Sequence, residues 1–289
     1  MKPILLLLVM ASAACGADFD AHRNIYYTDS DTARQSLDIY APKGAKDLPV
    51  VVWIHGGGWR RGSKLLVQSK PQAFVDEGYV FVSINYRFVP TVEMDGLASD
   101  VASAIKWVHD HITEYGGSPD LIFLSGHSAG AHLTALVGTD VSYLEHQGLN
   151  LSDLQGCIPV DTATYDAAKL IDSVSGARAE LYTNAFGKEA ASQKKYSPIT
   201  HVKEGQPYPP FLLLHVAARL DAASQSKAFA KALVDVGSQA EVVPARGKTH
   251  ATINKELGTK GDEPTKAVFA FLKQRVVEVR GQDSSARSE

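Results

Sequence analysis

The chain contains 289 residues, of which 45% are hydrophobic and 21% are charged. These proportions are those of a globular protein and exclude a disordered or collagen-like chain, and a core of this size needs no metal or disulfide scaffold. The formal net charge is −3, and no block of lysine and arginine provides the basic surface of a nucleic-acid-binding protein, so nucleic acid is excluded as a partner.

The N-terminal segment has the pattern of an export signal. Lys2 is followed by an apolar run over residues 4–10, which is too short to cross a bilayer, and by small residues over 11–14 that suit a signal peptidase. We therefore predict a signal peptide over residues 1–14 and an exported protein, periplasmic or secreted, with no membrane span. The surrounding residues also resemble a bacterial lipobox, so a lipid anchor at Cys15 is the alternative.

After the leader, short apolar runs alternate with segments of helical periodicity. Strands are predicted over residues 23–27, 35–40, 49–54, 79–85, 121–124, 158–160, 211–214 and 241–243. Helices are predicted over residues 101–112, 224–236 and 263–277. This alternation indicates an α/β fold with a mostly parallel sheet and helices on both faces.

The predicted elements form a single domain over residues 20–279, followed by a polar tail over residues 280–289. Residues 139–203 interrupt the alternation with long irregular stretches, and we predict that most of this segment is a cap-like insertion over the site. In parallel sheets, sites form in the loops that follow the carboxyl ends of the strands. The chemistry is therefore sought in the residues directly after each strand.

One such loop carries a serine between two glycines. Residues 126–130 read Gly-His-Ser-Ala-Gly and separate the strand over 121–124 from a helix-compatible segment, which is typical of a nucleophile elbow. Gly126 and Gly130 are required because the turn leaves no room for bulky neighbours of Ser128. The serine hydroxyl then lies at a helix N-terminus, where the helix dipole favours developing negative charge. A plain turn is the alternative.

A second loop is rich in glycine. Residues 55–59 read His-Gly-Gly-Gly-Trp and directly follow the strand over 49–54. Consecutive glycines expose backbone N–H groups, and donors fixed in this way stabilise the oxyanion of a tetrahedral intermediate. The alternatives are a flexible loop or a phosphate-binding loop, but the spacing of known phosphate-binding motifs is missing. Together the two loops indicate acyl transfer.

A serine nucleophile requires a base and an acid. His250 is the predicted base, because it lies in a loop after the last strand and before the C-terminal helix, as the order serine–acid–histidine demands. Asp221 is the predicted acid, since it is the carboxylate in the loop that follows the strand over 211–214 and would accept the Nδ1–H of His250. A helix N-cap is the alternative role for Asp221, and Asp161, at a neighbouring strand end, is the second candidate acid.

With these residues, the chain resembles the α/β-hydrolase superfamily. It is most similar to carboxylesterases with a His-Gly-Gly-Gly-Trp motif, near the hormone-sensitive-lipase-like, feruloyl-esterase-like and kynurenine-formamidase-like groups, over most of residues 23–272. The resemblance implies Ser128 as the nucleophile and His250 as the base. It also implies an oxyanion hole formed by the backbone N–H groups of Gly57, Gly58 and Ala129.

The acid loop departs from the pattern of these families. They usually place the aspartate three or four residues past the strand end, where this chain has Ala218 and Arg219. Asp221 lies further along the loop, so the choice between Asp221 and Asp161 stays open, whereas the class of reaction does not depend on it.

The sequence therefore predicts an exported serine carboxylesterase that hydrolyses short-chain or aryl esters through an acyl-enzyme. The expected partner is a small-molecule ester, and neither a metal nor an organic cofactor is implied. The spacing of the histidine pairs His109–His111 and His127–His132 does not suit metal ligands. An arylformamidase-type amidase with the same triad and a non-catalytic binding protein on a hydrolase fold are the alternatives.

Overall fold

The computed structural model describes residues 17–30 and 32–286. The predicted signal peptide and Cys15 lie outside the described residues. The strands within them are β1 (Phe19–Tyr26), β2 (Ser36–Pro42), β3 (Leu48–Ile54), β4 (Val80–Ile84), β5 (Gly117–His127), β6 (Leu154–Val160), β7 (Phe211–Val216) and β8 (Ala240–Ala245). The α-helices are α1 (Lys70–Asp76), α2 (Met94–His111), α3 (Ala129–Val137), α4 (Val141–Glu145), α5 (Ala167–Ser173), α6 (Gly176–Phe186), α7 (Ala190–Lys195), α8 (Leu220–Asp235), α9 (Thr252–Lys255) and α10 (Glu263–Ala286).

All the described strands join one sheet in the order β1-β2-β4-β3-β5-β6-β7-β8. The pairs β1–β2 and β2–β4 are antiparallel, and the remaining pairs are parallel. Strand β4 is added to one side of β3, whereas β5 and the strands after it are added in turn on the other side. This reversal creates a crevice at the carboxyl ends of β3 and β5. The predicted mostly parallel α/β sheet is confirmed.

The central strands of the sheet are buried on both faces, and their apolar residues occur without interruption. In β3, Val50, Val52 and Ile54 belong to one hydrophobic core, whereas Val51 and Trp53 belong to the core on the opposite face. Helices α2, α3 and α8 cover the first face, and α1 and α10 cover the second. Helices on both faces explain why these strands do not alternate between apolar and polar residues.

The segment predicted as a cap contains elements of two kinds. Strand β6 lies inside the sheet, and α4 packs against α2 and α3, so residues 139–160 belong to the body of the domain. Helices α5, α6 and α7 lie between β6 and β7, and residues of α5 and α6 line the cavity described below. The cap-like part is therefore shorter than the predicted 139–203.

Helix α10 continues to Ala286, so the described part of the predicted polar tail from residue 280 is helical. The segment contains no proline, and the Arg280 Nη2 donates a hydrogen bond to the backbone oxygen of Asp47 at 2.6 Å, which holds the helix against the body. No helix in residues 17–30 and 32–286 is long and apolar enough to cross a membrane.

Candidate active site

The candidate residues lie at one edge of the sheet, where neighbouring parallel strands end. Because β3, β5, β6 and β7 are parallel, their carboxyl ends lie side by side. The glycine-rich loop follows β3, Ser128 follows β5, and Asp161 follows β6. The Ser128 N–H donates to the Val160 oxygen at 3.0 Å, and the Asp161 N–H donates to the Leu214 oxygen at 2.7 Å, so the strand ends are linked to one another.

Ser128 occupies a strained turn. Its φ of 58° and ψ of −115° are unusual for a residue with a side chain. A Cβ on Gly126 would lie 2.6 Å from the carbonyl carbon of Gly130, and a Cβ on Gly130 would lie 2.1 Å from the backbone oxygen of Ile54. Both positions therefore need glycine, because the turn presses α3 against the ends of β3 and β5.

A substitution at Gly130 tests this packing. Gly130→Ala is expected to lower the free energy of unfolding by about 3 kcal/mol, because the new Cβ must displace backbone atoms. Gly281→Ala is the matched control: this glycine lies within α10, and a Cβ there meets no atom within 4 Å in the part of the chain that the structure describes. The control should gain up to about 1 kcal/mol from helix propensity. Urea unfolding measures both, and equal stabilities of the two variants would contradict the steric argument.

The structure brings Ser128 and His250 together with Asp161. The Ser128 Oγ lies 3.0 Å from the His250 Nε2, and the His250 Nδ1 lies 2.6 Å from the Asp161 Oδ2. The Asp161 side chain is completely buried, whereas that of His250 is 45% exposed. With Nδ1 protonated, the ring donates to the carboxylate and its Nε2 is free to accept the serine proton.

Asp221 does not contact His250, so its predicted place in the triad is wrong. Its Oδ2 lies 2.8 Å from the Arg178 Nη2 and 3.5 Å from the Arg219 Nη2, and its Oδ1 accepts the N–H of Ala222 in the first turn of α8. The carboxylate is thus turned towards the cap helix α6 and the start of α8. Asp161 instead reaches His250 from the end of β6, which pairs with β7 through Val160 opposite Leu214.

Arg219 is a site residue that the sequence interpretation left without a role. Its Nη1 lies 2.7 Å from the Asp161 Oδ2 and 2.9 Å from the His250 Nδ1. The Val216 N–H donates to the other carboxylate oxygen at 2.9 Å. Burial raises the pKa of Asp161, but the hydrogen bond from His250, the charge of Arg219 and the backbone donor outweigh it and lower the pKa to about 2. Asp161 is therefore ionised at neutral pH.

The lowered pKa of Asp161 makes a prediction about acid stability. Because the folded state holds this carboxyl near pKa 2 against an ordinary value of 3.8, its ionised form stabilises the fold above about pH 4. As pH falls from about 4 to about 2 this contribution, about 2 kcal/mol, is lost. The contribution of the Asp161 carboxylate to the difference in unfolding free energy between the wild type and Asp161→Asn should fall by about half of that amount between about pH 5 and about pH 3. A difference that is constant down to pH 3 would contradict it.

His127 holds the backbone of His250. Its Nε2 donates to the His250 carbonyl oxygen at 2.8 Å, and the two rings lie 4.5 Å apart. Burial lowers the pKa of His127 to about 3, so the ring is neutral. His127, Asp161 and His250 each have a ligand atom within 4.8 Å of the others and so could hold a metal ion, but each already has a hydrogen-bond partner within the protein.

The glycine-rich loop lies directly against the elbow. A Cβ on Gly56 would lie 2.9 Å from the His127 oxygen and 3.2 Å from the Ser128 Cβ, so only glycine allows this approach. Gly57 and Gly58 have φ angles of 127° and 61°, which glycine adopts readily. The sequence-predicted oxyanion donors Gly57, Gly58 and Ala129 therefore lie in the two segments that meet at Ser128.

The site opens into one large cavity of about 1100 Å³. Its lining combines the two motif loops with apolar and aromatic side chains of the loop and the cap, among them Trp59, Leu181 and Tyr182. Gly58 approaches Leu181 of α6 closely, since a Cβ on this glycine would lie 3.1 Å from the Leu181 Cδ1. The cap helix thus forms one wall of the cavity. A cavity of this size and composition is suited to a small organic ligand.

The sheet order, the serine elbow after β5 and the histidine after β8 together define an α/β-hydrolase. A family model described as BD-FAE matches residues 37–233, and the chain belongs to that family.

Relatives with known names are similar over most of the chain. The probable isoprenylcysteine alpha-carbonyl methylesterase ICMEL1 of Arabidopsis thaliana is 31% identical over 91% of this chain and 57% of its own length. The esterase LipQ of Mycobacterium tuberculosis is 31% identical over 83% of this chain and 62% of its own length. The chain therefore spans about three fifths of the length of these two relatives.

Solved structures share the fold. The inhibited esterase B from Lactobacillus rhamnosis superposes with a TM-score of 0.76, at 22% identity, over 94% of this chain and 91% of its own. This similarity supports the α/β-hydrolase architecture described above.

Proposed function

We propose that this protein is a serine carboxylesterase that uses Ser128, His250 and Asp161. The observation that carries the proposal is the continuous contact from the Ser128 Oγ through the imidazole of His250 to the buried Asp161 carboxylate, at 3.0 and 2.6 Å. The names of the relatives, which include a methylesterase and an esterase, support an ester rather than an amide as the substrate.

In the proposed reaction, His250 removes the proton of Ser128 as the serine oxygen bonds to the ester carbonyl carbon. The carbonyl oxygen becomes an oxyanion, which the N–H groups of Gly57, Gly58 and Ala129 stabilise. When the C–O bond to the alcohol breaks, the protonated His250 gives its proton to the leaving oxygen, and an acyl-enzyme results. Water then gives a proton to His250 and attacks the acyl carbon, and the carboxylic acid leaves as the proton returns to Ser128.

Asp161 serves two purposes in this proposal. It fixes the tautomer of His250 by accepting the Nδ1–H, and its charge stabilises the imidazolium that forms after proton transfer. Arg219 keeps the carboxylate ionised and restricts its orientation. The Nδ1 proton points to Asp161, so Nδ1 has no lone pair free to accept a hydrogen bond from Arg219. The short distance between Arg219 and Nδ1 is therefore a close approach of the guanidinium to the ring and not a second hydrogen bond.

Covalent labelling tests the proposal directly. A fluorophosphonate should label the wild-type protein once, at Ser128, and para-nitrophenyl acetate should be hydrolysed with a burst followed by steady turnover. An N-formyl anilide measured in parallel identifies an amidase with the same residues. A folded wild-type protein that is neither labelled nor active would instead support the non-catalytic binding role.

A further inference from the structure

The cavity around Ser128 is cationic, although the chain as a whole is acidic. The formal net charge of the protein is −3. Among the residues that line the cavity, five carry a positive charge and two carry a carboxylate. The cations are Arg60, Arg61, Arg178, Arg219 and Lys255, and the carboxylates are Asp161 and Asp221. The excess of positive charge is therefore local to the site.

Both carboxylates are already paired within the protein. Asp161 contacts Arg219 at 2.7 Å and His250 at 2.6 Å, and Asp221 contacts Arg178 at 2.8 Å and Arg219 at 3.5 Å. Two acids and two arginines thus balance each other on the side of the cavity formed by β6, β7 and α6. Neither acid is left to neutralise the remaining cations.

The remaining cations, Arg60, Arg61 and Lys255, are exposed to solvent and have no ion pair with any described residue. Arg61 is anchored next to the proposed oxyanion hole, because a Cβ on Gly57 would lie 2.0 Å from the Arg61 oxygen and 3.2 Å from the Arg61 Cγ. Lys255 ends α9, in the segment that follows His250. The unpaired charges therefore come from the two segments on either side of the Ser128–His250 pair.

From this arrangement, and resting on the proposed function, we propose that the preferred substrate is an ester that also carries a carboxylate. A carboxylate fits the planar fork of an arginine, which forms paired charge-assisted hydrogen bonds. A cleft lined by one sign of charge also raises the local concentration of oppositely charged ligands and their association rate. The anionic group would contact Arg60, Arg61 or Lys255 while the ester carbonyl lies at Ser128.

Two pairs of esters of similar shape test the substrate class. Mono-para-nitrophenyl adipate against para-nitrophenyl hexanoate places the negative charge on the acyl side. Para-acetoxybenzoate against para-acetoxybenzamide places it on the leaving group. In at least one pair, kcat/KM for the anionic ester should exceed that of its neutral partner by about tenfold at low ionic strength. The ratio should fall in molar salt, where charges separated by more than about 3 Å are screened.

Variants that remove a positive charge identify the residues responsible for the preference for anionic esters. The double variant Arg60→Gln/Arg61→Gln and the single variant Lys255→Gln should each lower the ratio of anionic to neutral kcat/KM, and the triple variant should bring it close to one. Lys231→Gln, which removes a charge from the exposed face of α8 outside the cavity lining, should leave the ratio unchanged. Using a ratio cancels any effect that a substitution has on the chemistry common to both esters.

The outcomes separate the two proposals. If the neutral esters are hydrolysed as well as or better than the anionic esters in both pairs, or if the ratio survives in the triple variant, the preference for anionic esters is wrong while the esterase stands. If no ester is hydrolysed and no fluorophosphonate label is gained, the proposed function fails and the inference fails with it.

Discussion

Ser128→Ala is expected to lower kcat for para-nitrophenyl acetate by about a million-fold, because it removes the proposed nucleophile, the Oγ that lies 3.0 Å from the His250 Nε2. The variant should fold normally, since alanine is smaller than serine and adds no atoms to the tight turn. Fluorophosphonate labelling should disappear together with the activity.

The control for this variant is Ser152→Ala, which removes the hydroxyl of an exposed serine outside the cavity. It should keep both the label and the turnover of the wild type. Labelling that persists in Ser128→Ala would show that another residue is the nucleophile and would remove the basis of the mechanism.

Asp161→Asn is expected to lower kcat by about ten-thousand-fold while the protein stays folded. An asparagine amide that faces Nδ1 favours the tautomer with its proton on Nε2, and this tautomer cannot accept the serine proton. The substitution also removes the negative charge that compensates the imidazolium, and it leaves the charge of Arg219 beside the ring.

Asp221→Asn is the matched comparison, since it makes the same change at the other aspartate of the cavity. It breaks the contacts to Arg178 and Arg219 but leaves His250 and Asp161 in place, so the loss of kcat should be less than about tenfold. Partly exposed ion pairs of this kind contribute about 1 kcal/mol to stability. A reversed order, with Asp221→Asn the more damaging variant, would make Asp221 the functional acid and would require the loop after β7 to rearrange.

The parts of the molecule that depend on local sequence could be predicted well. The central strands of the sheet are continuous apolar runs because both faces are buried there. The glycines around Ser128 are fixed by contacts shorter than 3 Å that any side chain would make. The serine elbow, the glycine-rich loop and the histidine after the last strand are local patterns of this kind. Their positions in the chain were sufficient to place them at one edge of a parallel sheet.

The acid could not be chosen in this way, because the choice depends on which of two adjacent strand ends reaches His250. Strands β6 and β7 lie side by side, so Asp161 and the segment after β7 that leads to Asp221 in the first turn of α8 begin within one strand spacing of each other, about 5 Å. One signal was present in the sequence. Arg219 occupies a position where an acid is usual, and an arginine there requires a carboxylate from elsewhere, which Asp161 supplies.

The extent of α10 was missed for a similar reason. The residues after Val277 have no apolar stripe, so nothing in their periodicity indicates a helix. The contact of Arg280 with the backbone oxygen of Asp47, a residue far away in the chain, helps to hold this part of the helix in place. The pattern of apolar residues in a sequence predicts which residues are buried, whereas a single polar contact between distant residues is visible only in the structure.

The ion pairs around Arg219 have a mechanical consequence. They form an unbroken series from the buried Asp161 through Arg219 and Asp221 to Arg178 on α6. This series tethers α6, which forms one wall of the cavity, to the carboxylate that orients the imidazole. A bulky ester that pushes α6 outward must stretch the tether, and part of that displacement is passed on to Asp161. In the proposed esterase, we therefore expect tolerance of substrate size and rate of turnover to be coupled. Engineering a wider cavity would then require breaking the ion pairs of Asp221 with Arg219 and Arg178.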